Sequence, residues 1–153
     1  MVQDGGAAPD FELPLDDGQT LRLSSLKGRA VVLYFYPKDD TSGCTTEAKD
    51  FTRLLPKFKK AGVAVIGISP DGVASHQKFR EKHELGVQLA SDAEKKVAQA
   101  FGVWVEKSRY GKTYMGINRS TFLIDRAGKI AMSWRNVKVP GHADEVLSAA
   151  TAL

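Results

Sequence analysis

The hydrophobic pattern changes its period along the chain, and each change predicts an element. Val31-Val32-Leu33-Tyr34-Phe35-Tyr36 is an unbroken β-branched and aromatic run between Gly28 and Pro37. Such runs form central strands covered on both faces. Val63-Ala64-Val65-Ile66-Gly67-Ile68 is a second. Between them, Ala48, Phe51, Leu54, Leu55 and Phe58 fall on one helical face, predicting a helix over 44–60 that ends at Gly62. Pro56 lies inside it and predicts a kink, because it cannot donate to residue 52.

Leu21-Arg22-Leu23 alternates after the turn Asp16-Asp17-Gly18 and suggests an N-terminal β-hairpin. Residues 72–84 are polar and read as a helix, and Val87-Gln88-Leu89 as a short strand. Asp92 is the expected N-cap of a helix carrying Val97, Ala98 and Phe101, with Gly102 as its stop. Thr121-Phe122-Leu123-Ile124 and Lys129-Ile130-Ala131-Met132 flank the turn Asp125-Arg126-Ala127-Gly128. Ala143, Val146, Leu147 and Ala150 make a last amphipathic helix. The order predicts an α/β layer fold, a mixed central sheet flanked by helices.

Composition narrows the picture. At 153 residues, 42% hydrophobic and 26% charged, residues 1–153 are expected to form a single domain. The longest apolar runs reach about six residues, against ~20 for a membrane span, and Met1–Gly6 carries no basic residue, so no secretory signal is expected there. The net charge of +4 is spread over the second half, which reads as a solvated surface and not a nucleic-acid footprint. A single cysteine, Cys44, excludes an internal disulfide, a Cys-x-x-Cys redox pair and a multi-cysteine zinc site. It fits a reducing, cytoplasmic setting. No metal or cofactor is expected. His76 and His83 read as surface residues, His142 as exposed, and Trp104 and Trp134 as core or rim.

Ligand sites in open α/β sheets form where strands run into helices. The first such junction is Pro37-Lys38-Asp39-Asp40-Thr41-Ser42-Gly43-Cys44-Thr45-Thr46-Glu47. Cys44 falls near the first helical turn, where unpaired N–H groups and the helix dipole favour a thiolate. Thr41 directs its hydroxyl to the same region, and Pro37 ends the strand. By itself, a lone cysteine in this place is equally readable as a small buried hydrophobe.

Pro37-x-x-x-Thr41-x-x-Cys44 resembles the Pro-x-x-x-Thr-x-x-Cys signature of peroxiredoxins, and the wider segment Tyr34–Glu47 is similar to their PrxQ, or bacterioferritin comigratory, group. Tyr110-Gly111-Lys112 and Gly116–Asp125 resemble the same group, so the likeness runs over nearly the whole chain. It implies a thioredoxin-like fold and a thiol-dependent peroxidase acting on hydrogen peroxide and organic hydroperoxides. Cys44 would be the attacking thiolate, Thr41 the hydroxyl that contacts it and the peroxide, Pro37 a shield, and Arg119 the cation completing the site. Glu47 would orient Arg119. A redox sensor on the same fold, without rapid turnover, is the alternative.

The chain departs from that group at the resolving cysteine. The two places where one is expected carry Lys49 and Phe79-Arg80. Ser42 stands where the group usually has proline. The resemblance therefore implies a one-cysteine enzyme whose sulfenic acid is resolved by an external thiol: thioredoxin, glutathione with glutaredoxin, or another. A monomer is expected, with a weak dimer as the alternative.

Overall fold

A computed structural model of the chain describes residues 2–153. Its main sheet has five strands: β3 (Ala30–Phe35), β4 (Val63–Ser69), β5 (Gln88–Ser91), β8 (Ser120–Ile124) and β9 (Ile130–Trp134). They lie in the order β5-β4-β3-β8-β9. β3 pairs parallel with β4, and β4 with β5. β3 pairs antiparallel with β8, and β8 with β9. The thioredoxin-like mixed sheet read from the sequence is therefore present.

All six residues of β3 are buried, because both faces of the sheet are covered. Val32 and Tyr34, with Tyr36 just beyond, join Phe51, Phe58, Phe79 and Val146 on one side. That side is covered by α1 (Ser42–Lys60), α2 (Val73–His83) and α4 (His142–Thr151). Val31, Leu33 and Phe35 pack on the other side with Phe101, Phe122 and Ile130. There the cover comes from α3 (Lys96–Ala100) and the hairpin β1 (Glu12–Pro14) and β2 (Thr20–Arg22). The N-terminal hairpin is thus part of the core wall. A 3₁₀ turn at Leu23–Leu26 leads from it into β3.

Several local expectations need correction. α1 begins at Ser42, two residues before the expected start, and includes Pro56 on its way to Lys60. Asp92 caps α3 from outside the N-cap position, which Lys95 occupies at φ 60°. Its carboxylate accepts from the Val97 and Ala98 N–H groups at 3.3 and 2.8 Å. A further hairpin, β6 (Trp104–Arg109) and β7 (Lys112–Ile117), forms a separate two-stranded sheet. Tyr110 and Gly111 turn it with φ of 53° and 76°, the pair of positive angles that a tight two-residue hairpin needs. Among the described residues no helix is long and apolar enough to cross a membrane.

The histidines also differ from expectation. His76 and His142 are buried, and the His83 side chain is only 17% exposed. His76 sits between the Asp39 carboxylate and the Ala90 carbonyl, His83 reaches Asp40, and His142 reaches Thr121. A polar local sequence says nothing about such partners, which arrive from distant segments.

Candidate active site

The carboxyl end of β3 feeds a short connection into α1. Asp40 takes the left-handed conformation (φ 61°), held by Lys82 Nζ at 2.8 Å and His83 Nε2 at 2.7 Å. Thr41 is then extended at the N-cap, and α1 begins at Ser42. Cys44 is the third helical residue and is 1% exposed. At this depth in the first turn, the backbone N–H groups have no helical acceptor and the dipole is positive.

Arg119 enters from the opposite direction, immediately before β8. Its Nη2 lies 3.3 Å from Cys44 Sγ, and its Nη1 donates to Glu47 Oε1 at 2.7 Å. Antiparallel pairing of β8 with β3 brings Arg119 to the helix start. Gly43 leaves the guanidinium its space, since a Cβ there would stand 3.2 Å from Arg119 Nη2. Sequence reading passes over Gly43; its only signal is a poor helix former in a first turn.

Glu47 is 1% exposed, and its Oε2 has no hydrogen-bond partner among the described residues. Burial pushes its carboxyl up to about 7, with Arg119 pulling the other way. The fork therefore has one arm on a carboxyl that changes charge near neutral pH and one on the sulfur. His142 lies nearby, its Nε2 2.8 Å from Thr121 Oγ1. Burial, and then the Arg119 charge, lower it to about 4. It stays neutral and adds no second positive charge.

Thr41 and Pro37 stand at the rim. Pro37 is half-buried directly after β3. Thr41 is exposed and donates its hydroxyl to the Lys38 carbonyl at 2.9 Å. Among the described residues it makes no hydrogen bond to Cys44, unlike the contact expected from the sequence. The Lys38 carbonyl, three residues back, satisfies a rim hydroxyl without bending the helix start. Of the expected set, Cys44, Arg119 and Glu47 are hydrogen-bonded together, while Thr41 and Pro37 frame the loop.

Beneath the loop lies a polar cluster that sequence reading misses. Asp39 accepts from Tyr36 Oη at 2.6 Å and Ser75 Oγ at 2.8 Å, and pairs with His76 Nδ1 at 2.7 Å. Its own N–H donates to Asp71 at 2.7 Å. The loop is thus anchored from below to α2 and to the segment after β4. The two expected resolving positions hold other roles: Lys49 is exposed on α1, and Arg80 binds Asp16 and the Leu85 carbonyl.

Known proteins resemble the chain over nearly its whole length. Residues 5–133 match the AhpC/TSA family. Peroxiredoxin Bcp of Bacillus subtilis is 51% identical over 146 residues, covering 95% of this chain and 93% of that protein. A cysteine-to-serine mutant of Xylella fastidiosa PrxQ superposes with a TM-score of 0.94 at 40% identity, covering 99% of this chain and 97% of that one. The Xanthomonas campestris bacterioferritin comigratory protein, solved in trapped intermediate and ligand complexes bearing on its alkyl peroxide reduction activity, gives 0.89 at 46% identity, with 93% and 90% covered. The chain belongs to the AhpC/TSA family, in its Bcp/PrxQ group of peroxiredoxins, and is a thiol-dependent peroxidase.

Proposed function

We propose that Cys44 is the peroxide-reducing thiolate, acting on hydrogen peroxide and organic hydroperoxides, with Arg119 as its electrostatic partner. The observation that carries this is the 3.3 Å contact between Arg119 Nη2 and Cys44 Sγ at the start of α1. The thiolate attacks one peroxide oxygen in line. The O–O bond breaks, Cys44 becomes a sulfenic acid, and the other oxygen leaves as alkoxide or hydroxide and takes a proton from solvent. Charge moves from sulfur to the leaving oxygen, so donors fixed around that path lower the barrier. Arg119 supplies a planar fork of N–H donors. Glu47 fixes one side of that fork, leaving the other for sulfur and peroxide.

Thr41 contributes its hydroxyl once its proton turns from Lys38 to the bound peroxide. Pro37 shields the sulfur from the loop side and presents no N–H there. Residues 1–153 work as one domain, supported by the shared sheet that joins Cys44 to Arg119.

Turnover then needs an external thiol, because Cys44 is the chain's single cysteine. A thiolate displaces hydroxide from the sulfenic sulfur to give a mixed disulfide. A second thiolate releases Cys44 and leaves as the disulfide of the reductant. The protein works as a monomer in the cytoplasm, with thioredoxin or a glutathione–glutaredoxin couple as reductant.

Peroxide consumption by the wild type, Cys44→Ser and Arg119→Ala, each with an excess of small thiol, tests this. Cys44→Ser is expected to be inactive. Arg119→Ala is expected to lose about 10²–10³-fold in the oxidation step, the usual cost of one transition-state donor. Multiple turnovers by Cys44→Ser, or an unchanged rate in Arg119→Ala, would overturn the assignment.

A further inference from the structure

The β6–β7 hairpin stands outside the main sheet and has no part in the roles above. Its register pairs Val105 with Gly116, Lys107 with Tyr114, and Arg109 with Lys112. Cross-strand partners point to the same side, and alternate residues share a face. One face therefore carries Lys107, Arg109, Lys112 and Tyr114. The other carries Glu106 and Met115, and continues into Trp104 and Ile117, which pack into the core. The hairpin's three cations share one face, and its single acid is on the opposite one.

None of these cations is neutralised. Among the described residues, no carboxylate lies within 4.0 Å of Lys107, Arg109 or Lys112. Arg109 and Lys112 are exposed, but Lys107 is half-buried. Its stem lies on Gly116, where a Cβ would stand 3.3 Å from Cδ and 3.5 Å from Cε. Burial and the Arg119 charge both weaken its hold on its proton, while the Cys44 sulfur strengthens it. Three cations thus line one face of the hairpin, and β7 ends at Ile117, two residues before Arg119, whose Nη2 stands 3.3 Å from the sulfur. A half-buried ammonium near another cation is costly, and an arriving anion offsets the lost hydration by direct attraction and screens the repulsion.

We propose that this face of the hairpin binds an anionic, carboxylate-bearing small thiol and guides it to oxidised Cys44. The proposal rests on the reading that resolution is external. The guided step is attack of the incoming thiolate on the sulfenic sulfur, forming the S–S bond and releasing hydroxide. The carboxylates stay on the cationic row while the thiolate reaches the sulfur.

The test uses Cys44 sulfenic acid formed with one equivalent of hydrogen peroxide. It is mixed by stopped flow with mercaptosuccinate, 3-mercaptopropionate, 2-mercaptoethanol or cysteamine at matched thiolate concentrations. Mixed-disulfide formation is followed by mass. The wild type is expected to favour mercaptosuccinate over 2-mercaptoethanol by about tenfold at low salt. The preference is expected to shrink as salt screens the row. Lys107→Gln is expected to lower that ratio. The exposed pair Arg109→Glu and Lys112→Glu, which loses only the surface contact of Arg109 with the Tyr110 ring, is expected to shift preference toward cysteamine. Ratios that are level across the charge series, or that neither variant moves, would overturn the track while leaving the peroxidase cycle standing. Failure of every thiol to form a mixed disulfide would overturn external resolution and the track together.

Discussion

His76 bridges two acceptors, with Nδ1 2.7 Å from Asp39 Oδ2 and Nε2 3.0 Å from the Ala90 carbonyl. Only a doubly protonated ring can donate to both. Burial works against that charge, but the Asp39 carboxylate and then the Ala90 carbonyl outweigh it and raise the histidine above its usual 6.5. The Asp39–His76 ion pair therefore lies buried directly beneath the loop that leads to Cys44.

The sign of its pH effect follows. Stability from this pair is fully present below about 6.5, the unfolded value, and is lost as pH rises through the higher native value. His76→Leu leaves the buried Asp39 carboxylate without its cationic partner, held only by the Tyr36 and Ser75 hydroxyls, which is expected to cost about 3 kcal/mol. Thermal midpoints of both proteins across pH 5–9 check this. The gap between the two curves is expected to be widest at low pH and to narrow as the wild-type ring deprotonates; a constant gap would contradict it.

Glu47 predicts an inflection in activity. Its carboxyl changes charge at about 7, raised mainly by burial. Above that pH the ionised group grips Arg119 more strongly, and below it the neutral acid does less. Glu47→Gln imitates the neutral form at every pH. The variant is expected to approach the wild-type oxidation rate below pH 7 and to fall behind above it. Rate profiles that run parallel throughout would show that the carboxylate charge is unused.

Thr41→Val keeps the side-chain shape and removes the hydroxyl. The fold is expected to survive, because that hydroxyl bonds only the Lys38 carbonyl at the surface. Peroxide reduction is expected to drop by about 10²–10³-fold, the cost of losing a donor that acts in the transition state. Thr41→Ser is expected to retain most of the rate. Equal rates for the two variants, measured as peroxide-driven Cys44 oxidation, would remove Thr41 from the mechanism.

Tyr34 offers a stability prediction. Its hydroxyl is buried and has no hydrogen-bond partner among the described residues, while its ring stacks on Phe51 at 4.7 Å. Tyr34→Phe keeps the stacking and removes the unpaired oxygen, so it is expected to stabilise the protein by about 1 kcal/mol. Urea unfolding measures it; a clear loss of stability would mean that the hydroxyl is bonded in solution.

What the sequence reveals follows from where each signal lies. The central strands are legible because Val31–Tyr36 and Val63–Ile68 are apolar almost throughout, and β3 is indeed buried at every residue. The Pro37–Glu47 junction is legible because its chemistry is contiguous. The β6–β7 hairpin is not, because Glu106-Lys107-Ser108-Arg109 is polar without a break and faces no core. Tyr110-Gly111 is the one local signal for its turn. Nor can the sequence show that His76 is buried: α2 is polar nearly throughout, and the partners that bury this ring come from the loop after β3 and from β5.

The Asp39 anchorage has a mechanical consequence. Cys44 is 1% exposed, so a thiol, bulkier than a peroxide, is expected to reach its sulfur more readily when the first turn of α1 opens. On one side of Thr41 the chain is riveted: Asp39 by Tyr36, Ser75, His76 and Asp71, and Asp40 by Lys82 and His83. On the other side, the first turn is held by its own helical bonds and by the Arg119 contacts to Cys44 and Glu47. An opening of this turn is therefore expected to pivot at Asp40–Thr41 and to require release of the Arg119 contacts. Amide exchange after oxidation is expected to quicken at residues 42–47 while Asp39 and Asp40 stay protected; loosening of both sides together would place the hinge elsewhere.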